Sequence, residues 1–176
     1  ADLLNNRYGY APFRIHEEPD KLKLETLKKI LGGNVQLQNP QDPASQINRI
    51  SKKISAKDQL KQSLILQTMK RAEYSTENVG HFGLQLDQYC HFTSPIRRYP
   101  DLLTHRMIKS CIEDDDDYSG NKKNDQELCE ISSKLEHRAE NASRKVNQIL
   151  IVDYLKRHLG ETFEGIISGV TEFGLV

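Results

Sequence analysis

The stretch His91–Arg106, HFTSPIRRYPDLLTHR, decides how the middle of this sequence folds. Proline disfavours helical backbone for the residue before it, so Ser94, which precedes Pro95, is predicted on an extended or turning segment with its hydroxyl free. Pro100 suits the first turn of a helix, where its missing N–H costs nothing. We therefore predict a turn followed by a helix that runs from Pro100 to about Cys111.

Two consecutive arginines, Arg97 and Arg98, stand immediately before that helix. The N-terminus of a helix favours an anion, and a guanidinium binds phosphate through two parallel hydrogen bonds. One phosphate, or the phosphates of a strand, is the natural ligand. Asp101 and His105 are four residues apart, so we expect them to pair, with Arg106 facing elsewhere. The alternative is a buried arginine network that ties the loop to the helix, and the residues alone leave both interpretations open.

Outside this segment, the spacing of apolar residues predicts mainly helices. The predicted helices cover residues 20–31 with Asp20 as N-cap, a stretch bearing Ile47, Ile50 and Ile54, residues 58–73, and one long amphipathic helix from 128 to about 158. The alternating run Gly80–Leu86 predicts a short strand, and residues 113–127 form a polar insert. After Gly160 the pattern changes to strand and turn, so a domain boundary is predicted there.

Length and composition exclude several classes of protein. The 176 residues allow one domain of ordinary size and a piece of a second, and no apolar run approaches the ~20 residues needed to cross a membrane. The three cysteines are odd in number and lack CxxC spacing, which argues against a disulfide framework or a zinc site and favours a reducing, cytoplasmic location. The sequence starts without methionine and stops inside an apolar, strand-like run, so we expect an excerpt of a longer protein.

The 25 basic and 25 acidic residues cancel, but they are unevenly placed. Residues 51–73 carry a net charge of +4, and residues 91–112 and 134–158 carry +3 each, whereas residues 113–117 carry −5 and the last sixteen residues −3. The neutral total therefore does not exclude a polyanion as partner. Solvated helix faces are the alternative explanation of the basic stretches, and for residues 51–73 we favour it.

Seven segments, in order, resemble the ribonuclease R/ribonuclease II family of 3′–5′ exoribonucleases. They are Pro12–Pro19, Tyr74–Ser75, Gly80–Leu86, Tyr89, His91–Arg106, Glu136–Arg144 and Gly160–Gly174. The resemblance implies an α/β fold, the mixed α+β RNB-type catalytic domain, whose C-terminal part is residues 1–159 and is predominantly helical with a few strands. Residues 160–176 resemble the truncated start of an OB-fold β-barrel, the ribosomal S-one-type RNA-binding domain.

The same resemblance implies processive, magnesium-dependent hydrolysis of single-stranded RNA from its 3′ end to nucleoside 5′-monophosphates. Arg97 corresponds to the arginine that contacts the scissile phosphate, as an electrostatic stabiliser and not as an acid or base. Candidate RNA contacts are Ser94, Arg98, Tyr99, His81, Arg106 and Arg144. The expected partner is single-stranded RNA and not a membrane, and the oligomeric state is left open.

The aspartates that bind Mg²⁺ in this family lie upstream of any residue present, so the resemblance implies no metal ligand within the chain. The run Asp114–Asp117 falls at a different place in the family order, and consecutive acidic side chains in a loop do not preorganise an octahedral site. We interpret that run as a solvated loop. A non-catalytic RNA-binding module is the alternative function, and a purely structural helical domain ranks last because it makes no use of Arg97 and Arg98.

Overall fold

The computed structural model describes residues 1–31, 43–54, 58–113, 118, 120–165, 167 and 170–175. The helices and strands of these residues are α1 (Asp2–Tyr8), β1 (Phe13–Ile15), α2 (Lys21–Ile30), α3 (Pro43–Lys53), α4 (Gln59–Thr68), β2 (Glu73–Ser75), α5 (Tyr99–Glu113), α6 (Lys122–Leu155), β3 (Val170–Thr171) and β4 (Gly174–Leu175). Short 3₁₀ turns cover Phe82–Leu84 and Lys156–His158. The predicted mostly helical fold with a few strands is confirmed. The strands pair as β1–β2 and β3–β4, without a closed barrel among the residues described.

The chain divides into two compact units. The first combines Ala1–His16 with Ala72–Glu161, and the second combines Glu17–Arg71 with Thr162–Val176. The first unit holds α1, β1, β2, α5 and α6, whereas the second holds α2, α3, α4 and the β3–β4 hairpin. Every residue that the sequence analysis selects for catalysis or RNA binding falls in the first unit.

The core of the first unit fixes α5 against the small sheet. Leu4 of α1, Phe13 of β1, and Leu103 and Met107 of α5 are each 3% exposed or less and belong to one cluster. Burial of apolar surface stabilises such a cluster by about 25 cal/mol per Å². Because β1 and β2 pair antiparallel, this packing also sets the distance between the sheet and the start of α5, where the candidate site lies.

In the second unit, two of the three helices predicted from apolar spacing are confirmed as predicted. The Asp20 carboxylate accepts a backbone N–H of the first turn of α2 at 2.8 Å, as an N-cap residue does. The helix then buries Leu24 and Leu27. Helix α3 buries Ile47 and Ile50, which lie three residues apart on one face.

The strand predicted over Gly80–Leu86 is wrong. The segment instead forms the 3₁₀ turn Phe82–Leu84, followed by Gln85 in the left-handed region with φ 55°. His81 is the physical reason, because its Nδ1 accepts the backbone N–H of Leu84 at 3.2 Å and so caps the turn. Only isolated bridges remain of the strand pattern, one between His81 and Leu86 and one from His81 to the end of β1.

Two predicted helix boundaries are also wrong. The helix predicted over residues 58–73 ends at Thr68, and the next residue, Met69, is extended. Glu73, the last residue of that prediction, begins β2 and pairs with β1, where pairing with a distant segment overrides local spacing. The long helix predicted from residue 128 begins at Lys122. Asn121 accepts a backbone N–H of the first turn at 2.9 Å and caps it, so the end of the predicted polar insert is helical.

The apolar stripe predicted on the long helix exists but is largely uncovered. Ile131 is 50%, Val146 54% and Ile149 66% exposed, whereas Asp125 and Cys129 are the buried positions among the described residues of α6. The spacing thus predicted the helix correctly without indicating what its face would contact. None of the helices in the described part of the chain is both long and apolar enough to span a bilayer.

Candidate RNA-phosphate site at the start of helix α5

A buried carboxylate ties the loop before α5 to the first turn of that helix. Asp101 is fully buried, and its Oδ2 accepts the backbone N–H of Ser94 at 2.9 Å. The same oxygen accepts Nε and Nη2 of Arg98 at 3.2 and 2.8 Å. The Ser94 carbonyl in turn accepts the backbone N–H groups of Arg97 and Arg98 at 3.3 and 3.1 Å. The turn that carries both arginines is therefore held at its two ends.

The two neighbouring arginines have different environments. The Arg98 side chain is 20% exposed and paired with Asp101, which is the arrangement that the buried-network alternative predicts. Arg97 is exposed, and its guanidinium has no partner among the residues described. Ile96 beside it is 97% exposed. The buried network thus describes Arg98, and the phosphate-binding interpretation describes Arg97, whose guanidinium is available to an anion.

The predicted pairing of Asp101 with His105 is wrong. Asp101 Oδ2 accepts hydrogen bonds from Arg98, whose planar fork matches a carboxylate better than an imidazole does. His105 instead places Nε2 2.5 Å from the carbonyl oxygen of Phe92. The loop is consequently fastened to α5 a second time, one turn after the first attachment.

Sequence reasoning missed a second ion pair behind the loop. Arg14 of β1 donates Nη1 and Nη2 to the two carboxylate oxygens of Glu136 on α6, at 2.7 and 3.2 Å. Its guanidinium carbon lies 4.5 Å from the ring centroid of Tyr74 on β2, within the range of a cation–π contact. Both charged residues lie in segments that carry the family resemblance, but no local spacing indicates that positions 122 residues apart meet.

A row of edge-on rings runs from Phe82 to Tyr74, the ring that Arg14 contacts. Neighbouring ring centroids are 5.2 to 5.9 Å apart. In order, the rings are Phe82, His16, His81, Tyr89, His91 and Tyr74. At its end, the Tyr74 hydroxyl lies 2.9 Å from Nδ1 of His91. This row fixes the predicted RNA contact His81 in a packed position.

Burial lowers the pKa of two histidines of this row, His81 and His91. It lowers the pKa of His91 below its usual value, and the positive charges of Arg98 and Arg14 lower it further. Burial also lowers the pKa of His81, with nearby His16 adding to the effect. A lowered pKa disfavours a positive charge on either of these two imidazoles. With Arg14 and Arg98 each paired to a carboxylate, the unpaired positive charge of this cluster is that of Arg97.

Three other predicted RNA contacts, Tyr99, Arg106 and Arg144, are exposed, whereas Ser94 is half-buried. Arg106 donates Nη1 to the Tyr99 hydroxyl at 3.3 Å and lies 5.9 Å from the centroid of that ring. Both residues belong to α5, which begins at Tyr99, directly after Arg98. Arg144 contacts Glu140 at 3.1 Å and Asn141 at 3.2 Å, both on its own helix. The structure thus groups Ser94, Arg98, Tyr99 and Arg106 around Arg97 by their place at the start of α5, whereas the described contacts of Arg144 link it only to α6.

Within the described residues, no group of three or more His, Cys, Asp or Glu side chains is arranged to hold a metal ion. Asp101 and Glu136, the acidic residues of the site, are each engaged by an arginine. The residues that the structure describes therefore do not form a site for a divalent cation. The run Asp114–Asp117, interpreted above as a solvated loop, lies outside the described residues.

Comparison with known proteins finds that this chain is similar to an RNB-domain family model and to ribonuclease R proteins. Residues 1–114 match the model of the RNB domain. The chain is 35% identical over 201 residues to Ribonuclease R of Vibrio cholerae, covering 99% of this chain and 23% of that protein. The structure of Mycoplasma genitalium RNase R in complex with ribose-methylated single-stranded RNA is similar with a TM-score of 0.79 and 28% identity, over 99% of this chain and 29% of that one.

A third similar structure is that of yeast Ssd1, described as a pseudonuclease. Its TM-score is 0.59 at 26% identity, over 76% of this chain and 18% of that one. The chain spans about a quarter of the length of the curated relatives it matches, 23% in the case of the Vibrio cholerae protein. Similar architecture thus occurs both in nucleases and in a relative described as lacking the activity.

Proposed function

Because this chain belongs to the RNB-domain family, we propose that the full-length protein is a processive 3′–5′ exoribonuclease. Its substrate is single-stranded RNA, and its products are nucleoside 5′-monophosphates. The observation that carries the proposal is the exposed, unpaired guanidinium of Arg97 on a turn whose two ends are fastened to α5. The complex of Mycoplasma genitalium RNase R with single-stranded RNA supports the choice of substrate.

In this proposal Arg97 stabilises charge in the transition state. Hydrolysis of a phosphodiester gathers negative charge on the oxygens of the scissile phosphate, and a fixed cation there lowers the barrier without exchanging a proton. An arginine that is already paired has less to offer. Arg97 is suited to the role because the carboxylates of the site are engaged by Arg14 and Arg98.

The other candidate residues hold RNA around that phosphate. Ser94 offers its hydroxyl, and Arg98 offers the part of its guanidinium that Asp101 does not bind. Tyr99 and Arg106 form an exposed aromatic–guanidinium pair of the kind on which a base stacks. Two further residues contact the strand farther from Arg97, His81 at the row of rings and Arg144 on α6.

Magnesium completes the proposal, with ligands upstream of this chain. When bound, the metal supplies activation of water and stabilisation of the leaving oxygen. The described residues form no site for it, so the roles assigned to Arg97 and its neighbours do not depend on metal geometry. We also propose that residues 1–159 belong to the catalytic domain and residues 160–176 begin an OB-fold RNA-binding domain. The three free cysteines support a cytoplasmic location.

Replacement of Arg97 tests the proposed role. Loss of one fixed transition-state contact typically lowers kcat by about 10²–10³-fold. In the full-length protein, we expect Arg97→Ala to lower kcat on single-stranded RNA by that factor, while the Kd for ribose-methylated RNA rises less than about tenfold. The matched control is Lys109→Ala, which removes an exposed cation of α5 and is expected to change neither value. Equal losses in kcat and affinity would make Arg97 a binding residue.

The second candidate function is RNA binding without hydrolysis, which the similarity to yeast Ssd1 favours. Incubation of the full-length protein with Mg²⁺ and uniformly labelled single-stranded RNA separates the two. Release of mononucleotides supports the exoribonuclease, and retention of intact RNA supports the second function. The 176 residues alone are expected to release none. Release by them would refute the placement of the metal ligands outside this chain.

A further inference from the structure

Asp101 has no direct path to solvent, yet it controls the turn that carries the proposed catalytic arginine. We propose that Asp101, acting through Arg98, is a positioning residue that fixes the location of the Arg97 guanidinium and keeps Arg98 from competing for the scissile phosphate. The inference rests on the proposed function. It adds a residue whose loss changes turnover without weakening the binding of RNA.

A single oxygen of the Asp101 carboxylate accepts the hydrogen bonds that hold the turn. Its Oδ2 accepts three hydrogen bonds, one from the backbone of Ser94 and two from the side chain of Arg98. Ser94 then accepts the backbone N–H of Arg97. The backbone of Arg97 is therefore held between two residues that are bound to the same carboxylate. Removing the carboxylate releases both ends of the turn together, and displacement of a reacting group by about 1 Å is enough to cost about 10²-fold in rate.

The orientation of the carboxylate favours hydrogen bonds to the loop, and it leaves its other oxygen without one. Asp101 Oδ1 is buried and has no hydrogen-bond partner among the described residues. A buried acceptor without a donor costs free energy, and an unsatisfied group of this kind in a folded protein calls for an explanation. The three hydrogen bonds at Oδ2 explain why Oδ1 has no partner, because rotating the carboxylate to satisfy Oδ1 would break them and loosen the turn.

Asp101 also reduces the number of free positive charges at the turn. Arg97 and Arg98 are adjacent, and two free guanidinium groups would offer a phosphate two competing positions. Asp101 neutralises Arg98 at 2.8 Å, so the turn presents one free cation in a defined place. Loss of the carboxylate liberates the charge of Arg98. Since RNA affinity depends on the number of phosphates neutralised, the variant is expected to bind RNA as well as before or better while it turns over more slowly.

The test uses two variants of the full-length protein, Asp101→Asn and Arg98→Lys. The first keeps the shape of the side chain and removes its charge. The second keeps the charge and removes the fork, and its position is partly exposed, so it guards against a variant that fails to fold. We expect kcat to fall about 10²-fold in both. The Kd for ribose-methylated single-stranded RNA stays within about threefold for Arg98→Lys and does not rise for Asp101→Asn, whose slope of log K against log salt steepens by up to about 0.7.

A readout independent of activity distinguishes failure of the inference from failure of the proposed function. Trypsin cleaves after Arg97, whose turn is exposed, and we expect cleavage there to accelerate at least about tenfold in both variants once the turn is released. If the unsubstituted protein releases no mononucleotides, the proposed function fails, and faster cleavage still supports the fastening by Asp101. If the protein is active but either variant keeps its kcat, or loses affinity in proportion to kcat, the inference is overturned.

Discussion

The ion pair between Arg14 and Glu136 is expected to couple the small sheet to α6, and the structure gives the size of the effect. Hydrogen bonds to charged groups contribute about 1.5–3 kcal/mol when buried, whereas exposed ion pairs contribute about 0.2–1 kcal/mol. The Arg14 side chain is 13% and that of Glu136 46% exposed, so solvent screens one partner substantially. We expect a coupling free energy of about 1 kcal/mol, between these limits.

The single substitutions are expected to differ because the two side chains have different surroundings. Arg14→Met also loses the contact with the Tyr74 ring at 4.5 Å, which adds about 0.5–1 kcal/mol, so its total cost is about 2 kcal/mol. Glu136→Gln keeps an acceptor for Arg14 and costs about 1 kcal/mol. The double variant is expected to lose about as much free energy of opening as Arg14→Met alone, because both charges of the pair are then absent and neither is left unpaired.

Amide hydrogen exchange measures these free energies locally in the full-length protein. The backbone N–H of Arg14 donates to the carbonyl of Tyr89 at 2.7 Å, and that of His16 donates to Gly80 at 3.0 Å, so their exchange reports opening of this sheet. The control cycle uses Arg144 and Glu140, an exposed pair within α6, which is expected to leave these amides unchanged. Additivity of Arg14→Met and Glu136→Gln within about 0.3 kcal/mol would refute the coupling.

Two further predictions concern the core and the pH dependence of stability. Met107→Ala removes a fully buried side chain. It is expected to lower the free energy of opening of α5, measured by amide exchange, by about 2–5 kcal/mol. Ile112→Ala, at a position 76% exposed on the same helix, is expected to cost less than about 0.5 kcal/mol. His91 has a lowered pKa in the folded state, so the unfolded chain binds its proton first as pH falls below the usual value of 6.5, and the stability present above that pH is progressively lost. The thermal unfolding midpoint is therefore expected to drop less between about pH 7.5 and 5.5 in His91→Asn than in the unsubstituted protein; an equal drop would contradict the assignment.

The parts of the structure that the sequence predicted correctly depend on neighbours within one or two turns. The cap at Asp20 and the buried pair Ile47 and Ile50 follow from spacings that a helix alone determines. The start of α5 next to Pro100 follows from the constraints that proline places on the backbone. In each case the energetic preference is local, so the sequence contains all the information required.

Contacts between distant segments could not be predicted in this way. Arg14 meets Glu136 across 122 positions, and the hydroxyl of Tyr74 meets His91 through the pairing of β2 with β1. The wrong assignment of Glu73 to a helix has the same origin, since this residue pairs with Ile15 of β1. Family resemblance marked the segments that hold these residues as related, but it did not state which side chains touch.

The division between Arg97 and Arg98 shows why counting charge along a sequence does not locate a site of this kind. Both residues contribute equally to the +3 of residues 91–112. Because α5 begins at Tyr99, Arg98 stands three residues before Asp101, the spacing at which side chains meet across the first turn, and the buried carboxylate cancels its charge. The guanidinium one residue earlier remains exposed and unpaired among the described residues. The useful quantity is therefore the number of cations left over after local pairing, and at this turn that number is one.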